Sequence, residues 1–200
     1  MELVIEELRF RSSSGQYAAT LIRPGRVTKP PLVLMGHGLG ATREMGLQQY
    51  AERFAEAGIA SLSFTYRHFG DSTGWPRQLL MVGRQVEDWR SALRFARDAA
   101  NVDSNRIALW GTSFGAGHAL LTASRDPAVR AVVAQCPFTD GLASTAAIPV
   151  STVARLALLG LRDMFAAFIH PSSPVTVPLV GPPGSTALMS APDAAPACSR

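Results

Sequence analysis

Short apolar runs that stop at glycine, each followed by a stretch of helical period, constrain this chain more than any other feature. Leu32-Val-Leu-Met35 runs into His37-Gly-Leu-Gly40, and Arg106-Ile-Ala-Leu-Trp110 runs into Gly111. Ile59 to Phe64 is again short and apolar, and Val129 to Ala134 forms one more strand. Continuous apolar runs of this length mark strands buried on both faces, whereas a half-exposed strand would alternate. Between them lie helices: one from about Glu44, with Leu47, Tyr50, Ala51 and Phe54 on one stripe and Gly58 as its stop. A second carries Leu79, Val82, Val86, Trp89, Leu93 and Ala96 at spacings of 3 and 4. A third, rich in small residues, runs from about Phe114 to Ser124. Strands alternating with helices imply right-handed crossovers and a parallel sheet covered on both faces. Leu3 to Phe10 and Tyr17 to Ile22, flanking Ser12-Ser-Ser-Gly15, add an antiparallel hairpin at one edge.

After Pro137 the character changes. Thr152 to Ile169 reads as one or two amphipathic helices with no matching strand, and seven prolines follow from Pro171 onward. The expected organisation is a core over residues 1–140, then a lid-like helical segment and a Pro-rich, poorly ordered tail over 141–200.

Composition narrows the class of partner. A 47% hydrophobic, 17% charged chain can bury a core. Its net charge of +4 is carried almost wholly by arginine. The densest basic stretch, Arg84 to Arg97, is interleaved with Glu87 and Asp88, which reads as a solvated helix face and not a nucleic-acid surface. Acids where a signal peptide needs bases, and an apolar stretch broken by Arg155, Arg162 and Asp163, argue against export and membrane insertion. Cys136 and Cys198 read as free thiols in a reducing compartment, so the expected location is cytoplasmic.

The chemistry centres on Gly111-Thr-Ser113-Phe-Gly115, a G-x-S-x-G sequence between a strand and a helix. Such a turn bends so sharply that its neighbours must lack side chains, and it lifts the serine hydroxyl above the carboxyl edge of the sheet. The helix that follows offers unpaired N–H groups, Phe114's among them, to a developing oxyanion. A second donor should lie in the glycine-rich loop after the first central strand, where Leu39 N–H is the candidate. His37 reads as a prop for that loop.

Met35-Gly-His-Gly-Leu-Gly40, Phe64-Thr-Tyr-Arg-His-Phe-Gly-Asp-Ser72 and Leu109-Trp-Gly-Thr-Ser-Phe-Gly115 together resemble the α/β-hydrolase superfamily across roughly residues 1 to 140. The likeness is strongest to its bacterial esterase, peptidase and thioesterase-like branch, which is similar to polyketide-transferring hydrolases. The resemblance implies an α/β-hydrolase fold, a mostly parallel sheet with helices on both faces. It also implies acyl transfer from a small-molecule ester, thioester or amide through a serine ester, with no metal and no organic cofactor.

In that superfamily the acid and then the base follow the serine. Here no Glu follows Ser113, and the Asp residues that do are 126, 140, 163 and 193. Asp140, just past a strand, is the candidate acid, with loop capping as its alternative role. His118 and His170 are the only later histidines. Five residues at about 100° each carry His118 around its helix into the interior. His170 is the candidate base, with a helix-capping role as its alternative. His68 and Asp71 precede the serine and read as loop or pocket-mouth residues. Trp75 reads as a rim or core aromatic and Trp89 as core. The expectation is therefore a fold lacking its last two strands. It carries either a serine hydrolase, an acyltransferase of the same fold, or a non-catalytic remnant whose open sheet edge invites self-association.

Overall fold

In a computed structural model the described residues are 2–12, 15–99, 101–169 and 174–190. The first 139 residues form one compact unit and a second begins at Asp140.

Six strands of the first unit make a single sheet in the order β1-β2-β4-β3-β5-β6. β1 (Leu3–Ser12) and β2 (Gly15–Pro24) form the expected antiparallel hairpin, with Phe10 opposite Tyr17; residues 13–14 of its turn lie outside the described residues. β2 meets β4 (Ala60–Phe64) antiparallel. From there the sheet is parallel through β3 (Leu32–Gly36), β5 (Ile107–Thr112) and β6 (Ala131–Gln135).

Pleating sorts the apolar run of β3 between two cores, since successive side chains point to opposite faces. Leu32 and Leu34 face a cluster built with Leu62, Leu109 and residues of α2 (Val82–Asp98) and α3 (Phe114–Ala123). Val33 and Met35 face the other way, onto Trp110 and the Leu47, Ala51 and Ala55 stripe of α1 (Leu47–Glu56). A strand sandwiched this way must be apolar at every position, which is why β3 reads as a continuous run.

Boundaries shift for local reasons. α1 begins at Leu47 and not at Glu44, because Gly46 sits at φ 87°, a left-handed conformation that cannot belong to the helix. α2 begins at Val82 because Met81 is extended, leaving Leu79 in the preceding loop. β6 is displaced two residues from its expected start. Its outer edge has no strand neighbour among the described residues, and Val133 is 51% exposed.

In the second unit α4 (Gly141–Ala146) is followed by α5 (Val150–Ile169), one continuous helix where the sequence allowed two. Arg155 donates to the Gly184 carbonyl at 3.0 Å, and the Val175 N–H donates to Asp163 at 2.7 Å. Val180 and Met189 form an isolated bridge, so residues 174–190 fold back on themselves.

Candidate active site

Parallel pairing puts the carboxyl ends of β3, β5 and β6 on one rim: Gly36 lies opposite Gly111, and Thr112 opposite Gln135. Ligands of open α/β sheets gather outside such a rim. Ser113 stands on it as the first residue beyond β5, at φ 52° and ψ −115°, a backbone that L-residues avoid. Three hydrogen bonds hold it there. Ser113 N–H donates to the Gln135 carbonyl at 2.9 Å, while its own carbonyl accepts from Phe138 N at 3.0 Å and Gly117 N at 3.2 Å. The side chain is half-buried, and its hydroxyl has no hydrogen bond among the described residues.

The glycines flanking this bend are set by space. A Cβ on Gly111 would fall 2.4 Å from the Gly115 backbone, and one on Gly115 would fall 2.4 Å from the His37 carbonyl oxygen. The β5–α3 turn therefore nests against the end of β3, with no room for side chains between them. A Cβ on Gly38 would lie 3.5 Å from the Ser113 Cβ, so the glycine-rich loop after β3 runs alongside the serine. Gly117 belongs to the same packing: a Cβ there would lie 2.1 Å from the Phe138 carbonyl. Sequence reasoning missed Gly117 and Phe138, because neither falls within a motif.

His37 is 1% exposed. Its Nε2 accepts from Tyr66 N at 3.3 Å, which leaves Nδ1 to carry the proton donated to the Gly38 carbonyl at 2.9 Å. Burial lowers its pKa to about 4, so the ring is neutral near pH 7. The Gly38 carbonyl and the Leu39 N–H belong to one planar peptide and point in opposite directions. By fixing the first, His37 orients the second, and Leu39 N–H has no backbone acceptor among the described residues.

The other described histidines are also engaged. His118 lies in the interior as expected, its Nε2 3.0 Å from the Gln85 amide oxygen and its ring edge-on to Phe114 and Tyr66. Burial lowers its pKa to about 4. His68 Nδ1 lies 2.8 Å from the Pro76 carbonyl within its own loop. None of the three is hydrogen-bonded to Ser113.

Asp140 caps α4, its carboxylate accepting from Leu142 N at 2.8 Å and Ala143 N at 3.0 Å, which is the capping alternative raised above. His170 and Cys198 lie outside the described residues. Cys136 is a free, exposed thiol directly after β6. Trp89 is core, and its indole N–H donates to the Tyr66 hydroxyl at 2.7 Å; Trp75 is exposed and not core. Among the described residues no group of three or more His, Cys, Asp or Glu side chains could hold a metal ion, and no helix is long and apolar enough to cross a membrane.

Two arginines stiffen the loops around the rim. Arg43, buried, donates to both Asp71 oxygens, at 2.6 and 3.1 Å, and to Glu7 at 2.9 Å. It thereby ties the loop after β3 to the loop after β4. Against the upward push of burial, this guanidinium holds the Asp71 carboxyl below its ordinary value. Arg67 donates to Asp88 through Nε at 2.8 Å, Nη2 at 2.7 Å and its backbone N–H at 3.1 Å. Asp88 is 0% exposed, which corrects its assignment to a solvated helix face. The sequence showed a charge beside an apolar stripe and gave no sign of the distant partner that lets it be buried.

The family described as X-Pro dipeptidyl-peptidase (S15 family) matches residues 16–160. The quorum-quenching protein AidA of Acinetobacter baumannii is 47% identical over 188 residues, which are 94% of this chain and 62% of that protein. Thiohydrolase aneE of Aspergillus aculeatus is 33% identical over 139 residues, 70% of this chain and 43% of that one. Among solved structures, the α/β hydrolase GrgF from Penicillium sp. sh18 matches with a TM-score of 0.78 at 24% identity, over 91% of this chain and 61% of that one. This chain thus spans less than two-thirds of the length of each of these relatives.

Proposed function

Because the chain belongs to the X-Pro dipeptidyl-peptidase (S15) family of the α/β-hydrolase superfamily, whose relatives carry out hydrolysis or acyl transfer, we propose that it is acylated at Ser113 by a small ester, thioester or amide. The observation that carries this reading is the half-exposed Ser113 on its left-handed bend, with the Gly38–Leu39 loop alongside.

Ser113 Oγ attacks the substrate carbonyl, and the carbonyl oxygen takes up negative charge. Phe114 N–H, at the first turn of α3, has no intrahelical acceptor and meets that charge from one side. Leu39 N–H, oriented through His37, meets it from the other. Collapse of the tetrahedral adduct expels the alcohol, thiol or amine and leaves an acyl-serine. Water then gives hydrolysis, and an acceptor hydroxyl gives transfer. The thiohydrolase name of one relative favours a thioester among the three acyl donors.

The serine proton needs an acceptor, and the three described histidines are each committed to other partners. The candidates are those the sequence supplies, His170 as base with Asp140 as acid. Without a working base, such a site retains only the contribution of its oxyanion donors and substrate binding, about 10³–10⁴ over water. That geometry also favours a second reading, a chain that binds acyl compounds without turning them over.

A fluorophosphonate probe separates the two readings. Wild-type chain should be labelled at Ser113, and Ser113→Ala should not be labelled at all. A folded wild-type chain that never takes the label overturns the acyl-enzyme reading and leaves the binding one. With a labelled chain, release of free acid from a thioester against formation of a new ester with added alcohol distinguishes hydrolysis from transfer.

A further inference from the structure

Nine residues along α3 from the serine bend, about 13 Å at 1.5 Å per residue, α2 and α3 border a cleft of about 210 Å³. Four arginines line it: Arg90, Arg94 and Arg97 from one face of α2, at the i, i+4, i+7 spacing that stacks side chains, and Arg125 just beyond α3. Asp126 is the one carboxylate in the lining, and it is fully used by Arg97 through paired contacts of 2.8 Å each. Arg94 donates to the Ser91 hydroxyl at 3.0 Å. Arg90 and Arg125 make no ion pair or side-chain hydrogen bond among the described residues. The cleft therefore carries guanidinium charge that nothing described here neutralises.

Thr122 contributes to the wall of this cleft and is 1% exposed, yet its Oγ1 has no hydrogen-bond partner among the described residues. A helical threonine ordinarily satisfies its hydroxyl on the carbonyl four residues back. That oxygen is sealed from solvent, so a ligand in the cleft cannot reach it, and the arginines alone carry the site.

We propose that this cleft binds a phosphate group, with Arg90, Arg94 and Arg125 forking onto its oxygens. Phosphate fits because its oxygens match the planar donor pairs of guanidinium and it can accept from several sides at once. The volume leaves room for a small substituent, so free phosphate and a phosphate monoester share the chemistry. The site is separate from Ser113, and its existence does not depend on what the serine does.

The test is calorimetric titration of the whole chain with inorganic phosphate and with glycerol 3-phosphate, at matched ionic strength against sodium chloride. One saturable site per chain is expected, unaffected by chloride. The Arg90→Ala/Arg125→Ala double variant, whose exposed or half-exposed side chains are not core, should bind at least about tenfold more weakly. A circular dichroism melt confirms that the variant is folded. Tighter binding of the ester identifies a carried phosphate group, and equal binding identifies free phosphate. Absence of saturable binding in the wild type, or unchanged affinity in the folded double variant, overturns the proposal.

Discussion

Ser113 is held at φ 52° by backbone bonds to Gln135, Phe138 and Gly117. Its conformation is thus imposed by β6 and by the loop after it, at an expense of about 1–3 kcal/mol for a residue with a Cβ. Glycine adopts this backbone freely but loses more entropy on folding, by about 0.5–1 kcal/mol. Ser113→Gly should therefore stabilise the chain, by about 1 kcal/mol, while abolishing fluorophosphonate labelling. A urea titration reads the first effect, and a fall in midpoint would show that the bend is not strained. The serine bend was legible because glycines must flank it. Cys136, which also sits at positive φ, at 46°, was not, since a cysteine carries no preference for that conformation.

α2 shows what periodicity reveals and what it hides. Its apolar stripe through Val86, Trp89, Leu93 and Ala96 is buried as the spacing requires. Asp88, on the flank of that stripe, is equally buried because Arg67 arrives from the loop after β4, a contact spanning 21 residues of chain that no local pattern encodes. Asp88→Asn would leave Arg67, itself 3% exposed, without its principal counter-charge, and should cost about 3–5 kcal/mol in urea unfolding. Glu87 also touches Arg67, at 3.2 Å, but from a half-exposed position, so Glu87→Gln should cost less than about 1 kcal/mol. Comparable losses from both variants would show that the pair is not the buried anchor described here.

Across the first unit, two histidines link stability to pH. His37 and His118 each have a pKa lowered by burial to about 4, against an ordinary value of 6.5. Below pH 6.5 the unfolded chain takes up protons that the folded chain refuses until about pH 4, so stability falls as pH falls through that window. The full loss is roughly 3 kcal/mol for each histidine. Urea midpoints should therefore drop between pH 6.5 and pH 5, before most carboxylates titrate, and His118→Gln should make the drop shallower. A flat profile over that window would mean that the rings are charged or solvated. At this scale the central strands β3, β4 and β5 and the rim that carries Ser113 were legible, because burial on both faces, and glycine near the ends of β3 and β5, leave marks in a local stretch of sequence. The partner of His118, the Gln85 amide 33 residues earlier in the chain, was not, since only folding brings it near. The seam where Gly111, Gly115 and Gly117 let backbone meet backbone has one further outcome. A survey of which substitutions the gene tolerates would find these positions as unforgiving as a reacting group, in cells that never call on the chemistry. Intolerance along that seam reports assembly of the protein, and only chemical capture at the hydroxyl can report its use.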